Sequence, residues 1–528
     1  MSSIFTVNGK PFFPLGGQVH NSSGYSLAAL EPAFKALAAL HANTVEIPVY
    51  WEQVEPVEGT FTFDHVDEIL EAARARGLRV ILLWFATWKN GSMQYAPAWV
   101  KSDPQRFNRV LTHSGKPLFV LSSHCRANWE GDSRAFNRLM RHLKETDGDD
   151  HTVIGIQVEN EPGILGAVRD HSPRADEEFN ARVPEVLVTA ILASRANPIK
   201  DAWEVAGSRK TGSWTELLGP LAGEVFSAHS IATYIDRVAE AGKAVYSLPM
   251  VVNVWIAENS WRLPGADYPS GGAVTPMLDL WKWLTPHIDL IAPDIYVENP
   301  DLYRQVAAVY HRPDNPLFIP ESGGTLSNSL NLFYAIADLH ATGYAVFGTE
   351  SLLNEAGTVK PSALPAVESF QFVAAVLPLI EKYHGARQVH SVIQGEFQDE
   401  QRFEFGDFLG RAVFNKCGVN FFTDYRHSLP DPAQRGRGLI FQTGPREFYL
   451  VGAGYRLLLQ KKQPEPFAFS KPHDHFELGL TPYLLVEEGC FGQNGAWVPI
   501  RQRNGDEITG GLWMAPDTNV LHVLMTED

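Results

Sequence analysis

The stretch that decides the fold is Thr152-Val153-Ile154-Gly155-Ile156-Gln157-Val158-Glu159-Asn160-Glu161-Pro162-Gly163, an apolar run that ends in three polar residues before a Pro-Gly turn. Such a run predicts a buried strand, because a strand covered on both faces has no polar side to alternate with an apolar one. In a barrel or sheet of parallel strands, side chains at the carboxyl ends of the strands face the binding crevice. Asn160 and Glu161 are therefore candidate site residues, although such residues could also simply keep a turn soluble.

A second stretch repeats this pattern, with a short apolar run that ends in one glutamate and two glycines: Pro316-Leu317-Phe318-Ile319-Pro320-Glu321-Ser322-Gly323-Gly324. Glycoside hydrolysis needs one carboxylic acid to protonate the leaving oxygen and one carboxylate to attack or stabilise the anomeric carbon. Two strand-end glutamates far apart in sequence suit that chemistry. We therefore predict Glu161 and Glu321 as a catalytic pair.

Short apolar strands alternate with amphipathic helical segments over about the first 350 residues, which is typical of repeated βα units around a parallel sheet. Eight such units close most simply into a (β/α)8 TIM barrel. The predicted strands are Phe12–Gly17, Thr44–Val49, Arg79–Trp84, Val153–Val158, Met250–Trp255, Leu290–Pro293, Leu317–Pro320 and Tyr344–Gly348.

Two long inserts follow the third and fourth predicted strands, at residues 86–132 and 164–228. Both would lie on the face where a barrel carries its active site, so we expect them to wall the pocket. The first insert contains Trp88, whose ring could stack on a sugar or could only pack the loop against the barrel.

The residue pattern of the sequence changes at Val389, where short β-rich runs separated by Gly, Asp and Asn begin. They predict a smaller antiparallel, sandwich-like domain without a catalytic pattern. The predicted division is a catalytic barrel over residues 1–385 and a β-rich accessory domain over residues 386–528.

Composition limits the partners. A chain of 528 residues is too long for a single hydrophobic core, so more than one domain is expected. The formal net charge of −17 disfavours nucleic acid and anionic membranes as partners, because both bind clustered Lys and Arg. A carbohydrate suits the chain better, and a homo-oligomer is possible. The three cysteines, Cys125, Cys417 and Cys490, are too scattered for a disulfide framework or a zinc site.

The amino terminus has no basic segment followed by an apolar run, so we expect no secretory signal. The longest apolar stretch, around Val80 to Phe85, is far shorter than the roughly 20 residues that span a bilayer. These features predict a cytoplasmic protein, unless a leader has been removed.

Two segments carry a family resemblance. Residues 43–63, NTVEIPVYWEQVEPVEGTFTF, resemble the W…E-P…G-x-(F/Y)-x-F segment of clan A glycosidases, especially the β-galactosidases of families 35 and 42. Residues 157–163, QVENEPG, are similar to the family 35 segment Q-(V/I)-E-N-E-(Y/F)-G. The resemblance extends over roughly residues 10–350. It implies a retaining enzyme in which Glu161 is the acid/base and Glu321 the nucleophile.

The same resemblance implies roles for two neighbours. Asn160 would contact the sugar 2-hydroxyl, and Tyr296 would donate a hydrogen bond that keeps Glu321 ionised. Glu159, two residues before Glu161, is expected on the same side of the strand, one layer deeper, where it orients a neighbour.

The chain departs from family 35 after the third strand, where an Ala-Glu-Trp motif is replaced by Ala86-Thr87-Trp88-Lys89-Asn90-Gly91, and the first strand ends in Gly16-Gly17-Gln18-Val19-His20-Asn21. The missing carboxylate leaves the sugar less certain than the reaction. The candidate substrate contacts are Asn160, Tyr296, Trp88, Asn90, Lys89, Trp255, Glu350 and His20. A bacterial subgroup of family 35 with a β-rich carboxyl-terminal domain resembles the whole chain, and trimming galactose from plant polysaccharide side chains is among its implied roles.

The leading hypothesis is a retaining exo-β-glycosidase, most simply a β-galactosidase, that uses no metal or organic cofactor. Alternatives are action on a β-glucoside or arabinoside, transfer of the sugar to another acceptor, and a non-catalytic carbohydrate-binding barrel. A metal hydrolase is disfavoured, because the H-x-H pair of His473 and His475 lies far along the chain from every predicted strand end of the barrel.

Overall fold

The computed structural model describes residues 4–258, 261–383, 385–386, 388–414, 435–462, 483–492, 494–508 and 510–527. Cys417 and the pair His473 and His475 lie outside the described residues. Seven parallel strands form one curled sheet in the order β6-β5-β4-β3-β2-β1-β7. The strands are β1 Leu15–Gln18, β2 Thr44–Tyr50, β3 Arg79–Lys89, β4 Val153–Asn160, β5 Met250–Trp255, β6 Leu290–Asp294 and β7 Tyr344–Phe347.

Residues 317–322, the closing segment, lie between β6 and β7 and complete the ring. Single parallel bridges join Ile319 to Tyr344 and Ser322 to Ile295, and the Ile295 amide donates to the Glu321 carbonyl over 3.0 Å. The prediction of a regular strand over Leu317–Pro320 is wrong. Pro316 and Pro320 have no amide hydrogen for a ladder, so only isolated bridges form. The (β/α)8-type architecture is nevertheless confirmed.

Helices cover the outside of the sheet, and their apolar faces share its core. The helix Leu27–Leu40 begins at Ser26, whose hydroxyl accepts from the Ala29 amide, and ends at His41 in the left-handed conformation. The other main barrel helices are Asp64–Arg74, Arg126–Asp147, Ala222–Lys243, Leu278–Leu284, Pro300–Tyr310, Leu326–Ala337, Leu364–Ala375 and Leu377–Tyr383.

Both predicted inserts follow the carboxyl ends of their strands. The first carries a hairpin of Arg109–Leu111 and Pro117–Leu121. The second carries the short helices Pro173–Asn180, Glu185–Ala193, Pro198–Val205 and Trp214–Leu218. The predicted end of β3 at Trp84 is wrong, because the strand continues to Lys89 and brings residues 86–89 into the sheet.

The carboxyl-terminal part is β-rich, as predicted, and its described strands pair antiparallel in two main sheets around a common core. One sheet has the order Val389–Ile393, Arg437–Gly444, Glu447–Ala453, Val520–Met525, Tyr483–Phe491 and Trp497–Gln502. The other has the order Glu400–Phe405, Phe408–Val413, Tyr455–Lys461 and Leu512–Met514. The predicted boundary at residues 385 and 386 falls between the helix Leu377–Tyr383 and the first of these strands. Within the described helices, no single one is long and apolar enough to cross a membrane.

Arg437 joins the β-rich part to the barrel. It is fully buried and donates to Glu368 and, over 2.9 Å, to the Ser369 hydroxyl, both on the helix Leu364–Ala375. Burial lowers the pKa of Arg437, and Glu368 opposes that shift. We expect Arg437→Met to lower the free energy of unfolding by roughly 2 to 4 kcal/mol, because it leaves the Glu368 charge without its partner. Denaturant unfolding measures this.

The matched control is Arg446→Met, which removes an exposed ion pair with Glu527. A surface pair contributes about 1 kcal/mol or less, so this variant should unfold close to the wild type. Equal losses in the two variants would contradict the role given to Arg437.

Candidate active site

The structure brings the two predicted catalytic glutamates together. Glu161 follows β4 and is 6 % exposed, and Glu321 lies in the closing segment and is 4 % exposed. Carboxylate oxygens of Glu161, Asp294 and Glu321 all lie within 4.8 Å of one another. Among the described residues, these three acidic side chains also lie close enough together to hold a metal ion. Its position at the carboxyl ends of barrel strands is where barrels carry their chemistry.

Glu321 is surrounded by hydrogen-bond donors. Its Oε1 accepts from Gln18 Nε2 over 2.7 Å and, over 3.4 Å each, from the side-chain amides of Asn160 and Asn253. Its Oε2 accepts from the Tyr296 hydroxyl over 2.6 Å. Four donors suit an ionised carboxylate, which accepts hydrogen bonds and donates none.

The surroundings of Glu161, in contrast to those of Glu321, favour the protonated form of its carboxyl group. Burial and the negative charge of Glu321 raise its pKa to about 7, although Lys89 and hydrogen bonds from Asp294 and Asn90 partly oppose that shift. Asn90 Nδ2 donates to Glu161 Oε2, and the Glu161 amide donates to Asn253 Oδ1 over 2.9 Å. Two neighbouring carboxyl groups with different environments form the arrangement that separates an acid from a nucleophile.

The backbone at the end of β4 breaks the alternation of side chains. Glu159 and Glu161 have φ values of +64° and +43°, in the left-handed region that few non-glycine residues adopt. Asn160 and Glu161 therefore both face the site. The Glu159 carboxylate instead accepts backbone amides of β3, at Thr87 over 3.1 Å and Trp88 over 2.7 Å.

Glu159 thus corrects one expectation and supports another. It does not lie on the same side as Glu161, because the left-handed turn reverses its direction. It lies beside Asp132 of the helix Arg126–Asp147, and burial, followed by the negative charge of Asp132, raises the pKa of Glu159. It does orient a neighbour, since it anchors the end of β3 that presents Lys89 and Asn90.

Lys89 and Asn90 lie beside Asn160 and Glu161, and their contact with a substrate stays a prediction. Lys89 is 5 % exposed and its Nζ donates to Asn160 Oδ1 over 2.8 Å and to Asn90 Oδ1. The chain therefore places a buried lysine close to Glu161, whose pKa it lowers. Asn160 connects this lysine to Glu321.

Trp88 does not line the pocket, and its prediction as a sugar contact is wrong. The side chain is 1 % exposed and packs edge to face on Tyr234, with the ring centroids 4.8 Å apart. Because β3 extends beyond its predicted end, Trp88 alternates outward to the helices, where apolar rings belong.

His20, Tyr296, Trp255 and Glu350 lie at the rim. The His20 amide donates to Glu350 Oε1 over 3.2 Å, and both His20 and Tyr296 contact the Phe347 ring edge to face. Tyr296 is 42 % exposed, so its ring lines the opening while its hydroxyl reaches Glu321. Trp255 ends β5 and is partly buried against the barrel core. Their contact with a substrate stays a prediction.

Gln18 and Asp294 also belong to the site, although we predicted no role for either of them. Each is the last residue of its strand, β1 and β6, and each is fully or almost fully buried. The signal was available, since a polar residue at the carboxyl end of a barrel strand is a candidate by position alone.

Comparison with known proteins agrees with this geometry. The model of a β-galactosidase family, glycoside hydrolase family 42, matches residues 26–302, which is more than half of the chain. The chain belongs to glycoside hydrolase family 42. The predicted resemblance to this family is confirmed, whereas the findings do not support family 35. A domain of unknown function (DUF5597) matches residues 366–515 of the family 42 chain.

Among relatives of this family 42 chain, a β-galactosidase of Xanthomonas manihotis is 30 % identical over 179 residues, which are 33 % of this chain and 27 % of that protein. The β-galactosidase GalA of Bacillus licheniformis is 29 % identical over 134 residues, 24 % of this chain and 18 % of that protein. The matched segments therefore cover less than a third of either curated relative.

Two solved structures share the fold of the family 42 chain. A catalytic mutant of Gan42B, a GH42 β-galactosidase from G. stearothermophilus, has a TM-score of 0.50 and 18 % identity, over 73 % of this chain and 58 % of that chain. The β-galactosidase from Bacillus circulans sp. alkalophilus has a TM-score of 0.50 and 14 % identity, over 71 % and 57 %.

Proposed function

We propose that this chain is a retaining exo-β-galactosidase that releases terminal β-galactose from oligosaccharides or polysaccharide side chains. The observation that carries the proposal is the pair Glu161 and Glu321, adjacent in space but in opposite environments. Membership of family 42 and the two β-galactosidase relatives support the choice of sugar.

The geometry suits double displacement. Glu321, held by Gln18 and Tyr296, attacks the anomeric carbon, while protonated Glu161 gives its proton to the leaving oxygen. Glu161, now a carboxylate, then takes a proton from the water that releases the sugar from Glu321. Asn160 lies beside Glu321, where a hydrogen bond to the sugar would strengthen as positive charge develops.

The stereochemical outcome is testable. Retaining glycosidases keep their carboxyl groups about 5 to 5.5 Å apart, whereas inverting ones leave roughly 6.5 to 9.5 Å for a water. One oxygen of each of the carboxylates Glu161 and Glu321 lies within 4.8 Å of the other, an approach that a retaining pair allows. We expect proton NMR to detect the β-anomer of the sugar first, and an α-anomer as the first product would contradict the mechanism.

The pKa of Glu161 sets an upper pH limit. Because glycosylation needs protonated Glu161 and its pKa is about 7, kcat/KM should fall about tenfold per unit as the pH rises above that value. The rate should be near its maximum about one pH unit below that value, where Glu161 is about nine-tenths protonated. The control is the pH profile of an activated aryl substrate, which needs little general acid catalysis. Its kcat/KM should fall much less as the pH rises above 7.

Tyr296→Phe tests the hydrogen bond to the nucleophile. Burial, followed by the charges of neighbouring carboxylates, raises the pKa of Tyr296, so its hydroxyl remains a donor to Glu321. Deleting it should lower kcat roughly 10- to 1000-fold while the fold survives. Tyr334→Phe, on a barrel helix away from this pair, is the matched control and should keep full activity. Equal rates for both variants would contradict the assigned role.

The sugar itself needs a direct test, because Thr87 stands where the family 35 motif Ala-Glu-Trp carries its glutamate, and Lys89 and Asn90 follow directly after that motif. A panel of aryl β-galactoside, β-glucoside and α-arabinoside substrates measures kcat/KM for each. The proposal expects the galactoside to be best by at least about tenfold, a difference of about 1.4 kcal/mol in transition-state binding. A better glucoside or arabinoside would keep the mechanism and change the substrate, and no turnover of any glycoside would favour a binding barrel.

A further inference from the structure

Asp294 is a third carboxyl group at the catalytic pair. It ends β6, is 2 % exposed, and lies with Glu161 and Glu321 in the group whose oxygens are within 4.8 Å of one another. The Asn253 side chain contacts all three residues. Its Nδ2 donates to Asp294 Oδ2 over 2.8 Å and to Glu321 Oε1 over 3.4 Å, and its Oδ1 accepts from the Glu161 amide.

The surroundings of Asp294 do not suit a second ionised carboxylate. Its buried Oδ1 has no donor among the described residues. The charged or titratable groups that face it are Glu161, Glu321, Lys89, Tyr296 and Tyr310.

None of the donors in that set is directed at Asp294. Lys89 donates to Asn160 and Asn90, Tyr296 to Glu321, and Tyr310 to the Ala273 carbonyl over 3.2 Å. An anion at Asp294 would therefore be buried next to two other acids, with Asn253 as its single donor among the residues that the structure describes, which is costly.

We propose that Asp294 keeps its proton throughout the reaction and donates a hydrogen bond to Glu161, a positioning role that rests on the proposed function of Glu161 as acid/base. Burial, followed by the charges of Glu321 and Glu161, raises the pKa of Asp294 well above its usual value. The same hydrogen bond lowers the pKa of Glu161, as expected when the donor is Asp294.

The consequence concerns the second half of the reaction. Once Glu161 has given its proton to the leaving oxygen, it is a buried carboxylate until it takes a proton from water. The Asp294 hydroxyl then stabilises that anion without transferring its own proton. A neutral donor suits this task, since a carboxylate at the same place would repel Glu161 and delay its ionisation.

The direct test needs no substrate. At about pH 8.5, above the pKa of about 7 of Glu161, infrared difference spectra of wild type minus Asp294→Asn should show the C=O stretch of a protonated carboxyl group. The difference is needed because Glu46, Glu159 and Asp132 also have raised pKa values. Asp301→Asn, at an exposed position, is the control and should keep the band. An Asp294→Asn spectrum that retains the band would overturn the proposal, whether or not the chain cleaves galactosides.

Kinetics give a second, independent readout. Asn at position 294 keeps a neutral donor, so the basic limb of kcat/KM should stay within about 0.3 pH unit of the wild type. Asp294→Ala removes the donor, so the limb should move to higher pH and release of the sugar should slow. If Asp294 were ionised, Asp294→Asn would remove a negative charge and move the limb to lower pH, which would overturn the proposal.

Discussion

Glu321→Gln should lower turnover by roughly 10⁴- to 10⁶-fold on every substrate, including those with activated leaving groups. The amide keeps the size of the side chain and can still contact Gln18 and Asn253, so the fold should survive. It cannot attack the anomeric carbon, so both steps of the reaction are lost. Steady-state rates together with circular dichroism measure the two expectations.

The matched control for that variant is Glu355→Gln, an exposed glutamate on the chain that follows β7. It should retain wild-type turnover. If Glu321→Gln kept more than about a tenth of the activity, less than about 1.4 kcal/mol of transition-state stabilisation would be at stake, far too little for a nucleophile.

Glu161→Ala should separate substrates by their leaving groups. Natural glycosides need a proton on the leaving oxygen, so their turnover should fall roughly 10²- to 10⁴-fold. Dinitrophenyl glycosides leave without that help and should still form the glycosyl-enzyme at Glu321. Because the base for the second step is also gone, the intermediate should accumulate, and stopped-flow absorbance should show a burst of phenol.

Azide supplies the control for the same variant. It needs no base and fits the space left by the carboxylate, so it should restore turnover and give a β-glycosyl azide. An α-glycosyl azide, or a variant that azide does not change, would show that Glu161 is not the acid/base. Glu258 lies on the chain just after β5. Glu258→Ala leaves the pair intact and should gain nothing from azide.

The proximity of Glu161 and Glu321 could be predicted because two independent signals agreed: polar residues where apolar runs end, and a family motif around Glu161. The barrel followed from the alternation of strands and helices, since a strand buried on both faces is visible in composition alone. The conformation of the closing segment was harder to predict. Pro316 and Pro320 prevent a continuous ladder of backbone hydrogen bonds but leave the apolar pattern of a strand unchanged.

The positions of three side chains could not be predicted from the periodicity of apolar residues in the sequence. Trp88 was assigned to a loop because nothing in the sequence marks the continuation of β3 to Lys89. Glu159 turns away from the site because of a left-handed backbone that the motif does not encode. Asp294 belongs to the site through Asn253, a contact between strands that no local pattern predicts.

The most direct test of the account is to trap the covalent intermediate with a fluorosugar and map the labelled peptide by mass spectrometry. A 2-fluoro galactoside with an activated leaving group slows release of the sugar more than its capture, so the nucleophile keeps the label. The account predicts the label on Glu321, within the peptide that contains residues 317–322. A label on Glu350 or Glu258 would contradict both the assignment of the nucleophile and the placement of the closing segment in the barrel.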